Sequence, residues 1–314
     1  MPSSAVRTFS DPDEYAAAIR NSRAEMTVTK PGHFAAKLIQ IELHRLWMQR
    51  FSETLPRIAH SAHMGRAVVT FCAPSGPNLL WRGTEMRPTN LVRHSERESG
   101  FQHSHGSASF AAMSLPVEDI ASLGEAVGDL DVTPPKEALI HTPTPHAMAR
   151  LQRLHTAASE LAEDAPEIIT NPDAAHGLEQ ALIEAVVACL AHGEGRKHSL
   201  AQGQHATVMR RFFRMVEENP EQPLFIPEIC NTIGVSESTL RMCCHQHLGM
   251  SPKRYLFLRR MGLTRRALRQ ADRNATSVTA IGTRFGFWEL GRFAVAYQKL
   301  FGEPRPPPSV GLRD

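Results

Sequence analysis

Four residues, Ser238, Arg241, Met242 and His245, recur at intervals that put them on one outward face of a helix. Together they make a hydrogen-bonding and apolar surface. Arg241 can donate two parallel hydrogen bonds to guanine O6 and N7, Ser238 can serve a base or a phosphate, and Met242 can meet a thymine methyl. About fifty residues on, Leu290, Gly291, Arg292, Ala294 and Val295 form a second such face. There only Arg292 carries donors, so Arg292 with Gly291 and Val295 reads as phosphate docking and shape fit. In the N-terminal half, Trp47, Met48, Phe71 and Trp81 with Arg57 and Arg82 suggest either a plain aromatic core or a pocket whose Arg anchors a carboxylate. The pair His103-x-His105 would share one strand face and could hold a metal. No Glu follows at a useful spacing, and with sixteen histidines chance pairs are common, so no metal site is expected. Cys243 and Cys244 are adjacent on a helix, poor joint ligands, and at least one should fall in the core. Five cysteines without a C-x-x-C pair suit reduced thiols in a cytoplasm. These residues give no catalytic set and call for no cofactor.

The elements that carry the two outward faces are legible from capping and turn chemistry. His205–Glu218 is periodic, with Val208, Phe212, Met215 and Val216 on one side. Pro227 opens the next helix, Ile229 and Ile233 turn inward, Gly234 makes a turn and Ser236 caps a helix buried through Leu240, Cys243, Cys244 and Leu248. The signal then repeats. Thr276 or Ser277 caps a helix with Val278, Ile281 and Phe285 inward. Gly286-Phe287 turns, and Glu289–Phe301 is buried through Phe293, Tyr297 and Leu300. Two helix-turn-helix units of this kind each lay their second helix in a major groove. Between them runs a helix of about Lys253 to Ala271, with an apolar stripe of Leu256, Met261, Leu263 and Leu268. Arg254, Arg259, Arg260, Arg265, Arg266 and Arg269 occupy the rest, serving phosphate or solvating the surface. Its length, about 28 Å at 1.5 Å per residue, approaches the ~34 Å between successive major-groove faces.

Charge divides the chain in the same place. Residues 205–314 hold seventeen Lys and Arg against nine Asp and Glu, a net +8, while the first 204 residues carry a net −5. A basic module on a mildly acidic partner suits polyphosphate binding by one half. No run of eighteen apolar residues is present, so no membrane span is expected, and Met1 to Arg23 lacks the pattern of a secretory signal. After a lead-in with a short helix near Pro12–Arg23, short segments suit strands of a barrel or sandwich: Phe34–Leu43, Arg57–Ser61, Ala67–Phe71, Leu79–Trp81, Asn90–Arg93 and Ser107–Ser114. Lys37–Arg50 reads equally as helix. His146–Glu163 and Pro172–His192 are helical, and either complete that domain's core or form a seam to a second copy. The expected fold is α+β: a β-rich domain over 1–140, connecting helices over 141–193, a linker over 194–204, an all-α double helix-turn-helix over 205–304 and a disordered tail over 305–314.

Residues 205 to 304 resemble the DNA-binding domain of the AraC/XylS transcription regulators. The resemblance rests on Ile229-Cys230, Gly234-Val235-Ser236, Leu240, Gly249-Met250-Ser251-Pro252, Tyr255, Arg259 and Ala267-Leu268. It continues through Ile281, Phe285-Gly286-Phe287, Phe293, Tyr297, Phe301-Gly302 and Pro304. Met242 stands where members often carry Arg, Cys230 and Gly282 where they carry Ala, and Pro304-Arg305-Pro306-Pro307-Pro308 replaces the usual ending. The pattern around Phe110-Ala111-Ala112-Met113-Ser114-Leu115-Pro116 looks like the ligand-binding half seen in part of the family. The resemblance implies a cupin-like N-terminal domain that binds a small effector, dimerises, or both. It further implies binding to double-stranded DNA and activation by recruiting RNA polymerase, in the cytoplasm. Two other readings stand beside it: a cupin-type metalloenzyme fused to a DNA-binding tail, and an architectural DNA-binding protein without an effector.

Overall fold

A computed structural model describes residues 1–63, 65–73, 79–95, 100–126, 131–191, 193–196, 200–219, 222–271 and 277–302. The chain divides into two compact units, residues 1–26 with 34–198 and residues 27–33 with 199–314.

The first unit is built on antiparallel strands. In chain order its elements are β1 (Ser3–Phe9), α1 (Pro12–Ala18), β2 (Ser22–Val28), β3 (Ala36–Glu42), β4 (Trp47–Glu53), β5 (Arg57–His63) and β6 (Ala67–Cys72). There follow β7 (Leu79–Trp81), β8 (Thr84–Met86), β9 (Leu91–Arg93), β10 (Gly100–Ser104), β11 (Ala108–Leu115), α2 (Val117–Ala126) and β12 (Leu139–Pro143). The unit closes with α3 (Pro145–Asp164), α4 (Pro166–Thr170), α5 (Pro172–Ala191) and β13 (Gly193–Arg196). One sheet runs β1-β3-β4-β11-β6-β9-β12-β13 and the other β2-β5-β10-β7-β8. The chain is α+β as expected, but its two sheets stay open and do not close into a cupin-like barrel.

Strand alternation gives the large sheet two working faces. Ile39, Ile41, Met48, Val69, Phe71, Ala111 and Met113 join one buried cluster with Met148, Leu151, Ala158, Leu182, Ile183, Val186 and Cys189 of α3 and α5. The two long helices therefore complete the core of their own unit. Helix α5 is long and apolar enough to cross a membrane, yet its apolar side chains are spent on this cluster. The other face of the same strands, through Trp47, Gln49 and Phe51 on β4 and Phe110 and Ala112 on β11, turns toward the smaller sheet. Because both faces are covered, β6 is buried at every position and shows no apolar–polar alternation.

Several expectations change here. Residues 1–24 are not only a lead-in, since β1 pairs along β3 from Ser3–Glu42 to Phe9–Ala36. Lys37–Arg50 is two paired strands, not a helix. Gly193–Arg196, read as linker, pairs with β12 as the last strand of the large sheet, because extended backbone N–H and C=O groups there find partners on Leu139–Pro143. The expected tail over 305–314 lies outside the described residues.

His155 on α3 is buried in this core, with its ring edge-on to Phe71 at 5.3 Å. Burial, with help from nearby Arg50, pushes its pKa down to about 3. An unfolded chain takes up this proton near pH 6.5 and the folded chain does not, so stability is full above that pH and is lost below it. The expected loss between pH 7.5 and 5 is about 2 kcal/mol. Urea unfolding of the wild type and His155→Leu at both pH values checks this. The variant should lose that part of the pH dependence, and an unchanged dependence would contradict the assignment.

Candidate nucleic-acid interface and effector cleft

The second unit is helical: α6 (Leu200–Glu218), α7 (Ile226–Ile233), α8 (Glu237–Leu248), α9 (Pro252–Gln270), α10 (Val278–Arg284) and α11 (Leu290–Phe301). Pro227 sits in the first turn of α7, where its missing N–H costs nothing. Gly234 ends α7 at φ +70°, and the Gly234 and Val235 N–H groups both donate to the Cys230 carbonyl. Ser236 Oγ then accepts from Thr239 N at 3.1 Å and starts α8. From α6, Arg211 Nη1 donates to the Ile233 carbonyl at 3.2 Å.

Leu240, Cys243, Cys244 and Leu248 are fully buried, so both adjacent cysteines serve the core. Burial raises the pKa of each thiol. Ser238, Arg241, Met242 and His245 are all exposed on the opposite side of α8. The structure thus brings the four sequence-derived reading residues onto one solvent face. The inner face of α6 is rotated from its expected setting. Met209, Phe212, Phe213 and Val216 are buried, while Val208 and Met215 are only partly so. The reason lies in α9, whose Tyr255 ring packs against Phe212 at 5.9 Å and Phe213 at 5.6 Å.

Helix α9 belongs to two cores. Its first turns supply Tyr255 to the α6 aromatics, and Leu258, Met261 and Leu263 join Ile281, Phe285, Phe293, Tyr297 and Leu300 of the second helix pair. Burial at both ends makes it a stiff connection of nineteen residues, about 28 Å long. Its cationic surface is smaller than the sequence suggests. Arg259 and Arg265 are each 5% exposed, Arg265 lies over the Phe301 ring at 5.3 Å and Arg260 over Phe287 at 5.2 Å. Lys253, Arg254 and Arg269 are the exposed cations of this helix.

Ser277 Oγ caps α10 through Ala280 N at 3.1 Å, while Thr276 lies outside the described residues. Gly286 makes the turn at φ +78°, and a Cβ there would lie 3.0 Å from Arg260 Nη1 and 3.2 Å from Pro223 Cβ. Gly234 has an equally left-handed backbone but open space. Accordingly Gly234→Ala should cost about 1 kcal/mol from backbone strain, and Gly286→Ala about 2 kcal/mol or more. Thermal unfolding of both variants checks the order, and equal losses would contradict it.

On α11 Phe293, Tyr297 and Leu300 face inward, while Gly291, Arg292 and Val295 are exposed. Arg292 pairs with Glu289 at 2.9 Å, but both side chains are well exposed, so the pair is weak and the guanidinium can exchange onto a phosphate. Sequence reasoning assigned Trp288 no role, yet it stands 78% exposed immediately before this helix. A large aromatic beside a turn glycine and a capping position was the signal for it.

In the first unit, a cleft with about 670 Å³ of empty space, its mouth included, lies between the two sheets. Phe51 and Phe110 stack across β4 and β11 at 4.4 Å, and the Arg57 guanidinium lies over the Phe110 ring at 5.2 Å. Arg66 lies over the Trp47 ring at 4.1 Å. Glu53 ends β4 and Arg57 begins β5, so the turn between them joins the two sheets and closes a buried ion pair, Nε to Oε2 at 2.7 Å. Tyr15 donates to Glu53 Oε1 at 3.1 Å, and Arg57 Nη2 donates to Gln102 Oε1 at 3.3 Å. Burial first, then the Glu53 charge, holds the Tyr15 phenol well above its ordinary pKa, so it remains a donor. Arg57 Nη1 has no hydrogen-bond partner among the described residues.

The sequence-derived pocket is therefore split. Trp47 and Arg57 line the cleft, whereas Met48 and Phe71 point to the helix-backed face. Trp81 is buried in a smaller recess with Thr70, Cys72 and Gln102. Arg82 is not in the lining. With Gly83 it forms a two-residue hairpin turn of positive φ, +47° and +77°, and its guanidinium folds back over Trp81 at 4.9 Å. His103 is buried on β10, while His105 lies beyond the strand end with its ring 4.5 Å from that of His103. Among the described residues no three His, Cys, Asp or Glu converge on a point where a metal could sit.

Residues 229–305 match the family model described as a helix-turn-helix domain. The chain is 35% identical over 106 residues to the probable thc operon regulatory protein of Rhodococcus erythropolis, covering 34% of this chain and 31% of that one. It is 31% identical over 93 residues to the XylDLEGF operon transcriptional activator of Pseudomonas putida, covering 30% and 29%. The chain thus spans about a third of the length of the curated relatives it matches. The solved AraC-like transcriptional activator CuxR aligns over 87% of this chain and 97% of its own, with 16% identity and a TM-score of 0.43. Residues 229–305 thus form a helix-turn-helix domain, and the curated relatives that match this region are named as regulators of transcription.

Proposed function

We propose that this chain, which carries an AraC/XylS-type helix-turn-helix domain, is a sequence-specific, effector-responsive regulator of transcription, acting as an activator in the cytoplasm. The observation that carries the reading is the division of α8, with Leu240, Cys243, Cys244 and Leu248 wholly buried and Ser238, Arg241, Met242 and His245 exposed. A helix seated this firmly presents a fixed pattern to a major groove. In this reading the α8 face contacts bases, and Arg254, Gly291, Arg292 and Val295 hold the phosphate backbone, joined by the exposed Trp288. The first unit binds a small effector between its sheets, with Trp47 and Arg57 in the lining. The full assembly is a homodimer that recruits RNA polymerase, with the sensor in the first unit and the reader in the second.

Selection of duplexes from a random pool by the full-length chain tests the reading. Enrichment of one motif, with a conserved block where the α8 face meets the bases, is expected, and a flat pool would refute it. Arg292→Ala should weaken binding to all sequences alike and reduce the salt slope of log K by about one. Titrations at several salt concentrations measure that slope, and a change confined to one sequence would show a base contact instead.

A further inference from the structure

We propose that the inter-sheet cleft selects an uncharged molecule, an aromatic or alkyl body bearing a carbonyl or ether oxygen, and rejects the corresponding carboxylate. The inference rests on the reading of the first unit as the effector-binding half, and it names the chemical class of that effector.

The walls are apolar where Phe51, Phe110 and Trp47 stand, which suits a flat hydrocarbon body. Two guanidinium groups line the space, and each already has a carboxylate. Arg57 holds Glu53 at 2.7 Å and Arg20 holds Glu42 at 2.6 Å. Arg57 and Glu53 are both essentially inaccessible to solvent. Their charges cancel, so a carboxylate placed on Arg57 would bring a second buried anion beside the Glu53 carboxylate, and among the described lining residues the other cation, Arg20, is itself paired.

What the cleft does offer is unmatched donors. Arg57 Nη1 and Asn21 Nδ2 are buried without partners among the described residues, as is the hydroxyl of Ser22, and all three residues line the cleft. A buried guanidinium N–H left unpaired is costly, and a neutral oxygen acceptor satisfies it without adding charge. By contrast the Gln49 amide is already spent, accepting from Arg20 N and Gln40 Nε2 and donating to the Arg20 carbonyl. The empty positions in the hydrogen-bond pattern therefore ask for acceptor oxygens, and the charge balance asks that they be uncharged.

Calorimetric titration of the full-length chain with acetophenone, benzoate and ethylbenzene separates these requirements at nearly constant shape. Acetophenone should bind at least tenfold more tightly than either of the others. Glu53→Gln, which removes the competing anion and keeps an acceptor for Tyr15, should move the ratio of benzoate to acetophenone affinity at least tenfold toward benzoate. Should that variant fail to fold, the wild-type comparison decides alone. Benzoate binding as tightly as acetophenone to the wild type would overturn the proposal, as would ethylbenzene doing so, or no saturable binding by any of the three. Each of those outcomes with sequence-selective DNA binding intact would remove this inference and leave the regulator reading standing. Loss of selective DNA binding with the acetophenone preference intact would do the reverse.

Discussion

Glu53→Ala should destabilise the N-terminal unit by about 3–5 kcal/mol, because it strands the buried Arg57 charge without a counterion. In a unit of this size that corresponds to a fall of roughly 10 °C in midpoint temperature. The pair is nearly inaccessible to solvent and also anchors the Tyr15 hydroxyl, so removal leaves that hydroxyl without its acceptor as well. It joins the last residue of β4 to the first of β5, and hence one sheet to the other. Glu42→Ala is the control. Its pair with Arg20 is more than a third exposed on both sides, and its loss should cost no more than about 1 kcal/mol. Thermal unfolding followed by circular dichroism measures both. Equal shifts for the two variants would mean that the Glu53–Arg57 pair does not hold the sheets together.

Arg241→Ala should lower affinity for the preferred duplex tenfold to a hundredfold, the loss of about 1–3 kcal/mol expected for a bidentate guanine contact. The effect should be confined to one or two base positions, where preference relaxes while the rest of the motif persists. Arg241 is exposed on α8 between fully buried Leu240 and Cys243, so its removal takes away a side chain without disturbing the helix seat. Selection from a random pool by wild type and variant compares the profiles directly. Identical profiles would assign Arg241 to the phosphates or to solvent.

The reader half was legible because its signals are local. A capping Ser236, a left-handed Gly234 and the apolar residues of α8 each fix their own few residues, and these stand where they are expected. The solvation of α9 was not legible. Arg259 and Arg265 carry charge at positions that tertiary packing covers, and no helical pattern distinguishes an arginine under Phe301 from one in water. Similarly the inner face of α6 depends on where Tyr255 lands, a contact more than forty residues away.

In the first unit the short strands at Arg57, Ala67, Leu79 and Ala108 are visible from their bounds and punctuation. Strands covered on both faces, such as β6, give no alternation, and the polar edge strand β1 gives no apolar run. The cleft was half visible. Trp47 and Arg57 were picked out by type, but the partner that decides the chemistry, Glu53, was not. Four residues apart reads as one helix turn in sequence, whereas here the two residues face each other across a turn between sheets.

The central claim is that α8 and α11, fixed to the two ends of α9, engage one side of one duplex. Hydroxyl-radical footprinting of the full-length chain on its selected site tests this most directly. Two protected patches on the same face, centred about 10 base pairs apart, are the predicted result. A single patch, or two patches on opposite faces of the duplex, would contradict it.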